Sequence, residues 1–350
     1  MVAHPQEVAA TFNLWHTVCF QGVSRGEISE LRTDACKVSL PPLVCVVVLN
    51  YNGLDHLKYC LPSILATDYP AFTVIVVDNA SSDGSADFVR QNYPQVNLII
   101  SDTNRGWSGG NNLGIGFARR CGAEYVVLAN NDIRVDPRWV SAAVGVAQQD
   151  PRVGIVGFQI IEPRGDDHDA GFAQAMALWS GLRVSEAKYV DGMAMFVRTR
   201  VFDEIGMIDE GFFVYAEDND LVLRARKAGY RVVATNVPIW HKGQGYWGRA
   251  PLRAAALQMR NNLRLSIKHD NLWGILYQIA RHFAKGCLPW VSVDLRDPVA
   301  RRLRPSNIVI NGVLLLYALA WNLYHLPQTL RRRREDMKHI YTARSRYKPF

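Results

Sequence analysis

Three runs of apolar, largely β-branched residues stand out along the chain: Val44-Cys-Val-Val-Val-Leu49, Val74-Ile-Val-Val77 and Tyr125-Val-Val-Leu-Ala129. Unbroken apolar strands of this length are buried on both faces, as in a parallel sheet covered by helices. Helical spacing of apolar positions runs over 54–65, 85–93 and 111–120. The alternation predicts an α/β fold, a doubly wound and mostly parallel sheet flanked by helices. Each strand run ends in polar residues: Asn50-Tyr-Asn-Gly53, Asp78-Asn-Ala-Ser-Ser-Asp-Gly-Ser85 and Asn130-Asn-Asp132. Ligands of such sheets bind beyond the carboxyl ends of the strands, so Asn50, Asp78 and Asp132 are expected to line one pocket.

The chemistry of those ends is specific. Asp78, at the tip of a buried strand, suits hydrogen bonds from a nucleobase imide or a ribose hydroxyl; its plainer role is a helix N-cap, for which Ser82 and Asp83 are better placed. Asn104-Arg-Gly-Trp-Ser-Gly-Gly-Asn-Asn112 reads as a glycine-rich loop entering a helix, offering bare amides to phosphate, with Arg105 as a charged donor. Asp132 supplies a hard oxygen for Mg2+ or Mn2+ bridging a diphosphate, or else is a turn residue before Pro137.

Further on, Phe212-Phe-Val-Tyr-Ala-Glu-Asp-Asn-Asp220 places three carboxylates among apolar residues just before a helical run, 221–229. A carboxylate held there is either a general base with a raised pKa or an N-cap. Pro238-Ile-Trp-His-Lys242 then puts His241 at a strand end, before Gly243-Gln-Gly-Tyr-Trp-Gly248, read as a mobile aromatic loop. Trp240, Tyr246 and Trp247 are candidates to stack on sugar faces, or packing residues.

The ordered set from residue 43 to 265 resembles family 2 glycosyltransferases of the GT-A fold, in the bacterial rhamnosyltransferase-like branch. The resemblance rests on the motifs above together with Asp191-Gly-Met-Ala-Met-Phe-Val-Arg198 and Ile208-Asp-Glu-Gly-Phe-Phe213. It implies inverting transfer of one sugar from a dTDP- or UDP-linked donor to a glycan or lipid-linked acceptor. On the matched positions, Asn50, Asp78, Arg105, Gly109, Asn111 and Asn131 would serve the donor. Asp132 and His241 would hold Mg2+ or Mn2+, and Asp218 would be the base. Glu217, Asp191, Trp240 and Trp247 would face the acceptor. The family's Asp-x-Asp is here Asn130-Asn131-Asp132, leaving one carboxylate for the metal. A different nucleotide-using α/β enzyme, such as a nucleotidyltransferase, and an inactive binding module of the same fold are the alternatives. A dehydrogenase is disfavoured, because Leu49-Asn-Tyr-Asn-Gly53 replaces the dinucleotide-binding glycine turn. A processive synthase is disfavoured because Gln258-Met-Arg-Asn261 stands in place of Gln-x-x-Arg-Trp.

Charge divides the chain. Residues 253–350 carry 18 Lys and Arg against 5 Asp and Glu, a balance of +13, so the preceding 252 residues carry 22 against 27, or −5, within the overall +8. The basic region also holds an apolar stretch, 308–324, interrupted by Asn311 and Asn322, and then Arg331-Arg-Arg-Arg334. Apolar helix plus basic cluster predicts a helical tail lying on an anionic membrane surface rather than crossing it. No nucleic-acid motif accompanies the charge. The expected organisation is an N-terminal extension (1–42) without a leader pattern, a catalytic domain (43–265, with the donor half ending near 135), and the basic helical region (266–350). Six cysteines without paired spacing suit a reducing, cytoplasmic setting at the inner membrane face.

Overall fold

The computed structural model describes residues 40–162, 168–242, 251–287 and 308–346. The reading of residues 1–39 as an extension and of 243–248 as an aromatic loop, Trp247 included, lies outside them. Strand β1 (Val44–Asn50) pairs with β2 (Phe72–Asp78) and β4 (Tyr125–Asn130), and β2 pairs with β3 (Asn97–Ile100), all in parallel. Between them run α1 (Leu54–Leu65), α2 (Ser85–Asn92) and α3 (Gly106–Arg120).

Beyond β4 come β5 (Ile133–Val135), α4 (Trp139–Gln149), β6 (Val153–Ile161), α5 (His168–Leu178), β7 (Val184–Glu186), β8 (Ala194–Arg198), α6 (Thr199–Ile205), α7 (Glu217–Lys227) and β9 (Arg231–His241). The sheet runs β3-β2-β1-β4-β8-β6-β9-β5, with β7 on β9. β8 is antiparallel to both β4 and β6, while β9 is parallel to β6 and antiparallel to β5 and β7. The α/β fold with a helix-covered central sheet is as expected, parallel in its first half and mixed in its second. Apolar runs report burial but not direction, which the connections set.

Period-two alternation in β1 feeds a core on each face. Val44, Val46 and Val48 join Leu57 and Leu61 of α1 and Trp139 of α4. Cys45 and Val47 join Ile115 of α3, Phe202 of α6 and Leu221 of α7. Val44 to Val48 are fully buried, and each such aliphatic side chain contributes about 1.5–3 kcal/mol over an exposed one.

Four C-terminal helices follow among the described residues: α8 (Pro251–His269), α9 (Leu272–Cys287), α10 (Ile308–Tyr324) and α11 (Leu326–Ser345). The basic region is therefore helical as expected, but it is built into the same body as the sheet. Ile340 and Ala343 of α11 complete the second core, and the expected boundary at 265 falls inside α8. Asn311 and Asn322 do not interrupt an exposed apolar face, because both are buried. The Asn322 amide donates to the carbonyls of Arg260 and Ala318 at 2.9 and 2.8 Å. Nor are the four arginines one free patch: Arg332 pairs with Asp336 at 3.3 Å, and Arg333 donates to the carbonyls of Ile267 and Asp270. Among the described residues no single helix is long and apolar enough to cross a membrane; α10 and α11 reach that length only as a pair bent by 65°.

Candidate active site

The strand register brings the predicted residues to one edge. Asn50 of β1 lies opposite Asp78 of β2, and Leu49 opposite Asn130 of β4. Asp78 is buried, its Oδ2 accepting from Asn50 Nδ2 at 3.0 Å and its Oδ1 from the Ser81 amide at 2.9 Å. Asn50 Oδ1 accepts from Asn131 Nδ2 at 2.6 Å. Short amide side chains thus tie together the ends of three adjacent strands and orient Asp78. Gly53 makes room for this, since a Cβ there would sit 2.0 Å from Asn131 Nδ2. Asp78 caps no helix; Asp83 accepts from the Leu54 and Ser85 amides at 2.9 and 3.0 Å instead.

The glycine-rich segment differs from the expectation. Helix α3 begins at Gly106, five residues earlier than its periodicity indicates, so Gly109 and Asn111 lie buried in its first turns rather than in a bare loop. Small size serves packing here. A Cβ on Gly114 would meet Val47 Cγ1 at 2.3 Å, and one on Gly110 would meet Leu49 Cδ1 at 2.4 Å, so the helix lies close on the sheet. A Cβ on Gly109 would meet Arg105 Cβ at 2.7 Å and Glu210 Oε2 at 3.3 Å. The helix N-terminus opens toward the strand ends, with Arg105 exposed beside it and its backbone amide held by Asn79 Oδ1 at 2.9 Å.

Asp132 and His241 come together where antiparallel β5 and β9 pair, with Ile133 opposite His241. Asp132 Oδ2 is 3.3 Å from His241 Nε2, both side chains being nearly buried. Burial would raise the Asp132 pKa, but the hydrogen bond and charge of His241 carry it below the ordinary value. The His241 pKa rises despite burial because Asp132, and then Glu162 and Asp191, favour the charged ring. Glu162 Oε1 lies 3.8 Å from His241 Nδ1. Asp132 Oδ1 is buried without a hydrogen-bond partner among the described residues. A hard oxygen so placed, next to an imidazole, fits a divalent cation that takes its remaining ligands from a diphosphate. Three-residue protein clusters able to hold a metal unaided are absent among the described residues.

The third component is the turn before α7. Phe213, Tyr215 and Ala216 all have positive φ, at 67°, 73° and 69°, a run of left-handed non-glycine residues that costs energy and is associated with functional turns. Behind it, Asp218 occupies the first turn of α7 without capping it: the cap position is Ala216 and has no side-chain bond. Asp218 is half-buried, its Oδ2 accepting from the Gly192 amide at 3.1 Å and its Oδ1 from the Asn219 amide at 2.7 Å. Burial and the neighbouring Asp191 outweigh these amides and raise its pKa. Glu217 is buried, and burial followed by the Asp218 charge drives its pKa well above the usual range. Glu217 is therefore the buried member of the pair, while Asp218 is the carboxylate partly open to solvent.

Trp107 joins the components, a role its place in the glycine-rich segment did not signal. Its Nε1 donates to Asn130 Oδ1 at 3.1 Å, while a Cβ on Gly192 would meet both Trp107 Cζ2 (3.0 Å) and Asp218 Cβ (3.2 Å). The strand ends and Asp218 therefore share a wall. Asp191 is exposed at the same edge. Trp240 is 4% exposed and its ring fills space that a Cβ on Gly171 would contest at 2.4 Å, which makes it a packing residue.

Comparison with known proteins agrees with this geometry. The family model for glycosyl transferase family 2 matches residues 45–200. An N-acetylglucosaminyl-diphospho-decaprenol L-rhamnosyltransferase of Mycobacterium tuberculosis is 27% identical over 263 residues, covering 65% of this chain and 85% of the relative. The low-salt glycan biosynthesis hexosyltransferase Agl10 of Haloferax volcanii is 24% identical over 216 residues, covering 58% and 68%. Among solved structures, the mannosyltransferase PcManGT of Pyrobaculum calidifontis in complex with GDP-Man and Mn2+ superposes with a TM-score of 0.52 at 20% identity, over 87% of this chain and 88% of that one. GalNAc-T7 with UDP, GalNAc and Mn2+ gives 0.55 at 12% identity, over 77% and 56%. These superpositions establish a shared fold.

Proposed function

Since this chain belongs to glycosyl transferase family 2, as an enzyme of the rhamnosyltransferase-like branch with the GT-A fold, we propose that it adds a single sugar, rhamnose-like and dTDP- or UDP-linked, to a hydroxyl of a glycan or lipid-linked acceptor, with inversion. The observation that carries this is the placement of Asp78, the Asp132–His241 pair and Asp218 at one sheet edge, with Trp107 between the strand ends and the base. Asp78 would receive the nucleotide's base or ribose, and the start of α3 with Arg105 its phosphates. Asp132 and His241 would hold Mg2+ or Mn2+, which when bound supplies positive charge to the departing diphosphate. Asp218 would take the acceptor hydroxyl proton. Its raised pKa makes it a stronger base than an ordinary aspartate, and the Gly192 and Asn219 amides aim its oxygens. Buried Glu217 and exposed Asp191 would flank the acceptor. A nucleotide screen tests the reading: UDP or dTDP with Mn2+ at about 100 times the dissociation constant should stabilise the fold by roughly 2.7 kcal/mol. No shift with either nucleotide would remove the donor assignment.

Peripheral seating on the inner face of an anionic membrane belongs to the same proposal. Helix α10 buries Asn311 and Asn322 beside Leu315 and Ala318 and leaves Val309, Val313, Leu316 and Leu323 exposed. Trp273, Leu276, Tyr277 and Phe283 form a second exposed apolar stripe on α9. Arg331 and Arg334 are exposed nearby in sequence, each adding on the order of 1 kcal/mol at an anionic surface. Flotation with anionic vesicles should be lost on replacing Trp273 and Tyr277 together by Glu. Retention of flotation by that variant would assign the stripes to another contact.

A further inference from the structure

We propose that Asn261, seated by Arg260, is a positioning residue for the reaction: one side-chain amide on α8 holds the left-handed turn that presents Asp218. This rests on the assignment of Asp218 as the base.

Asn261 is wholly buried, and its Nδ2 donates to three backbone carbonyls of the turn, those of Phe212 (2.7 Å), Val214 (2.7 Å) and Tyr215 (2.9 Å). An amide nitrogen has two hydrogens, so one is shared. Its Oδ1 accepts from Arg260 Nε at 2.8 Å, which fixes which way the amide faces. Arg260 Nη2 adds a bond to the Phe212 carbonyl at 2.9 Å. The fourth carbonyl, that of Phe213, points the other way and accepts from the Ser108 amide in α3 at 3.2 Å. A Cβ on Gly106 would meet that same oxygen at 2.3 Å.

Carbonyls of a regular element would point in concert and find partners along the backbone. Here three left-handed residues splay them, and the side chain of a residue more than 40 positions away gathers three on one side. Left-handed backbone at Phe, Tyr and Ala persists only when its surroundings over-determine it. The turn runs directly into Glu217 and Asp218, so its geometry sets where the Asp218 carboxylate stands against Gly192. A displacement of about 1 Å in a reacting group can lower a rate by roughly 100-fold.

The test is Asn261→Ala, assayed with whichever of the UDP-, dTDP- and GDP-sugars the wild-type chain turns over fastest. We expect kcat to fall roughly 10- to 100-fold while the donor KM stays within about twofold, because Asp78 and Asp132 lie on other elements. Asn322→Ala is the control for mere stability: it removes a buried amide of α10 that donates to the Arg260 and Ala318 carbonyls at 2.9 and 2.8 Å rather than to those of the turn. It should lower the melting temperature and leave kcat within about twofold of wild type. Should Asn261→Ala not fold, Arg260→Lys carries the test. It keeps the charge over Trp321 but loses the forked donors, and kcat should fall several-fold. An unchanged kcat in the folded variant, or an equal kcat loss in Asn322→Ala, overturns the proposal. Asp218→Asn separates the two readings. If it is inactive while Asn261→Ala is fully active, only the positioning role fails; if it is active, the base itself is misassigned.

Discussion

The two halves of the active edge are held by different physics. On the donor side, Asp78, Asn50 and Asn131 are fastened by neutral amides on adjacent parallel strands, each partner one strand away. On the base side, support comes from charge and from distant parts of the chain. Lys268 Nζ lies 2.8, 2.7 and 2.9 Å from Asp209, Asp220 and Asp336, all four side chains nearly or fully buried. Asp220 also pairs with Arg224 at 2.8 Å and meets His269 Nε2 at 2.8 Å. The proposed donor edge is thus a property of the sheet, whereas the turn that carries the proposed base Asp218 is held by a sheet-to-tail assembly through α8 and α11. A nucleotide pocket can be built locally, but a carboxylate beside an apolar wall needs a scaffold rigid enough to hold strained backbone behind it.

The largest way to break this contrast is Lys268→Met, which leaves three buried carboxylates short of their shared cation. Breaking a buried pair in this way costs about 3–5 kcal/mol, and urea unfolding should report a loss of that order. A loss under about 1 kcal/mol would mean that the tail only rests on the domain. Asn50→Ala is the donor-side counterpart. It strips a neutral partner from Asp78 and Asn131, with an expected cost of about 1–3 kcal/mol and weaker binding of UDP or dTDP. Equal costs for the two substitutions would erase the contrast.

A finer probe is pH. Asp220 is held well below the usual carboxylate range because Arg224 and Lys268 outweigh its burial. Its stabilising contribution is complete above the unfolded pKa of about 3.9 and is lost as pH falls through the folded value. Glu217 has the opposite sign. Its raised pKa favours the fold below about pH 4.3, and that contribution is lost as pH rises toward the folded value. Glu217→Gln should therefore gain stability relative to wild type as pH is raised from 4 to 8; a constant difference would mean that Glu217 ionises as freely as in the unfolded chain.

What the amino-acid pattern revealed follows the same division. The strands and the three polar strand ends were legible, because buried parallel strands leave continuous apolar runs and put their last residues at one edge, whereas the pairing of Asp132 with His241 was implied only by the family resemblance. The glycines of α3 misled, since glycine reads alike whether it frees a loop or lets a helix lie on Val47 and Leu49. Asn261, Lys268 and Asp336 carried no signal: polar residues in amphipathic helices look like surface until the fold turns them inward. Strand direction after β4 was equally silent.

One comparison bears most directly on the claim that a single edge joins a donor site to a separate base. UDP or dTDP binding with Mn2+ and sugar transfer should be measured side by side in Asp218→Asn and Asp132→Ala. Asp218→Asn should bind nucleotide as wild type does while turnover drops roughly 100- to 10,000-fold, and Asp132→Ala should lose the metal dependence of binding. Wild-type turnover by Asp218→Asn, or undiminished metal-dependent binding by Asp132→Ala, would contradict the claim.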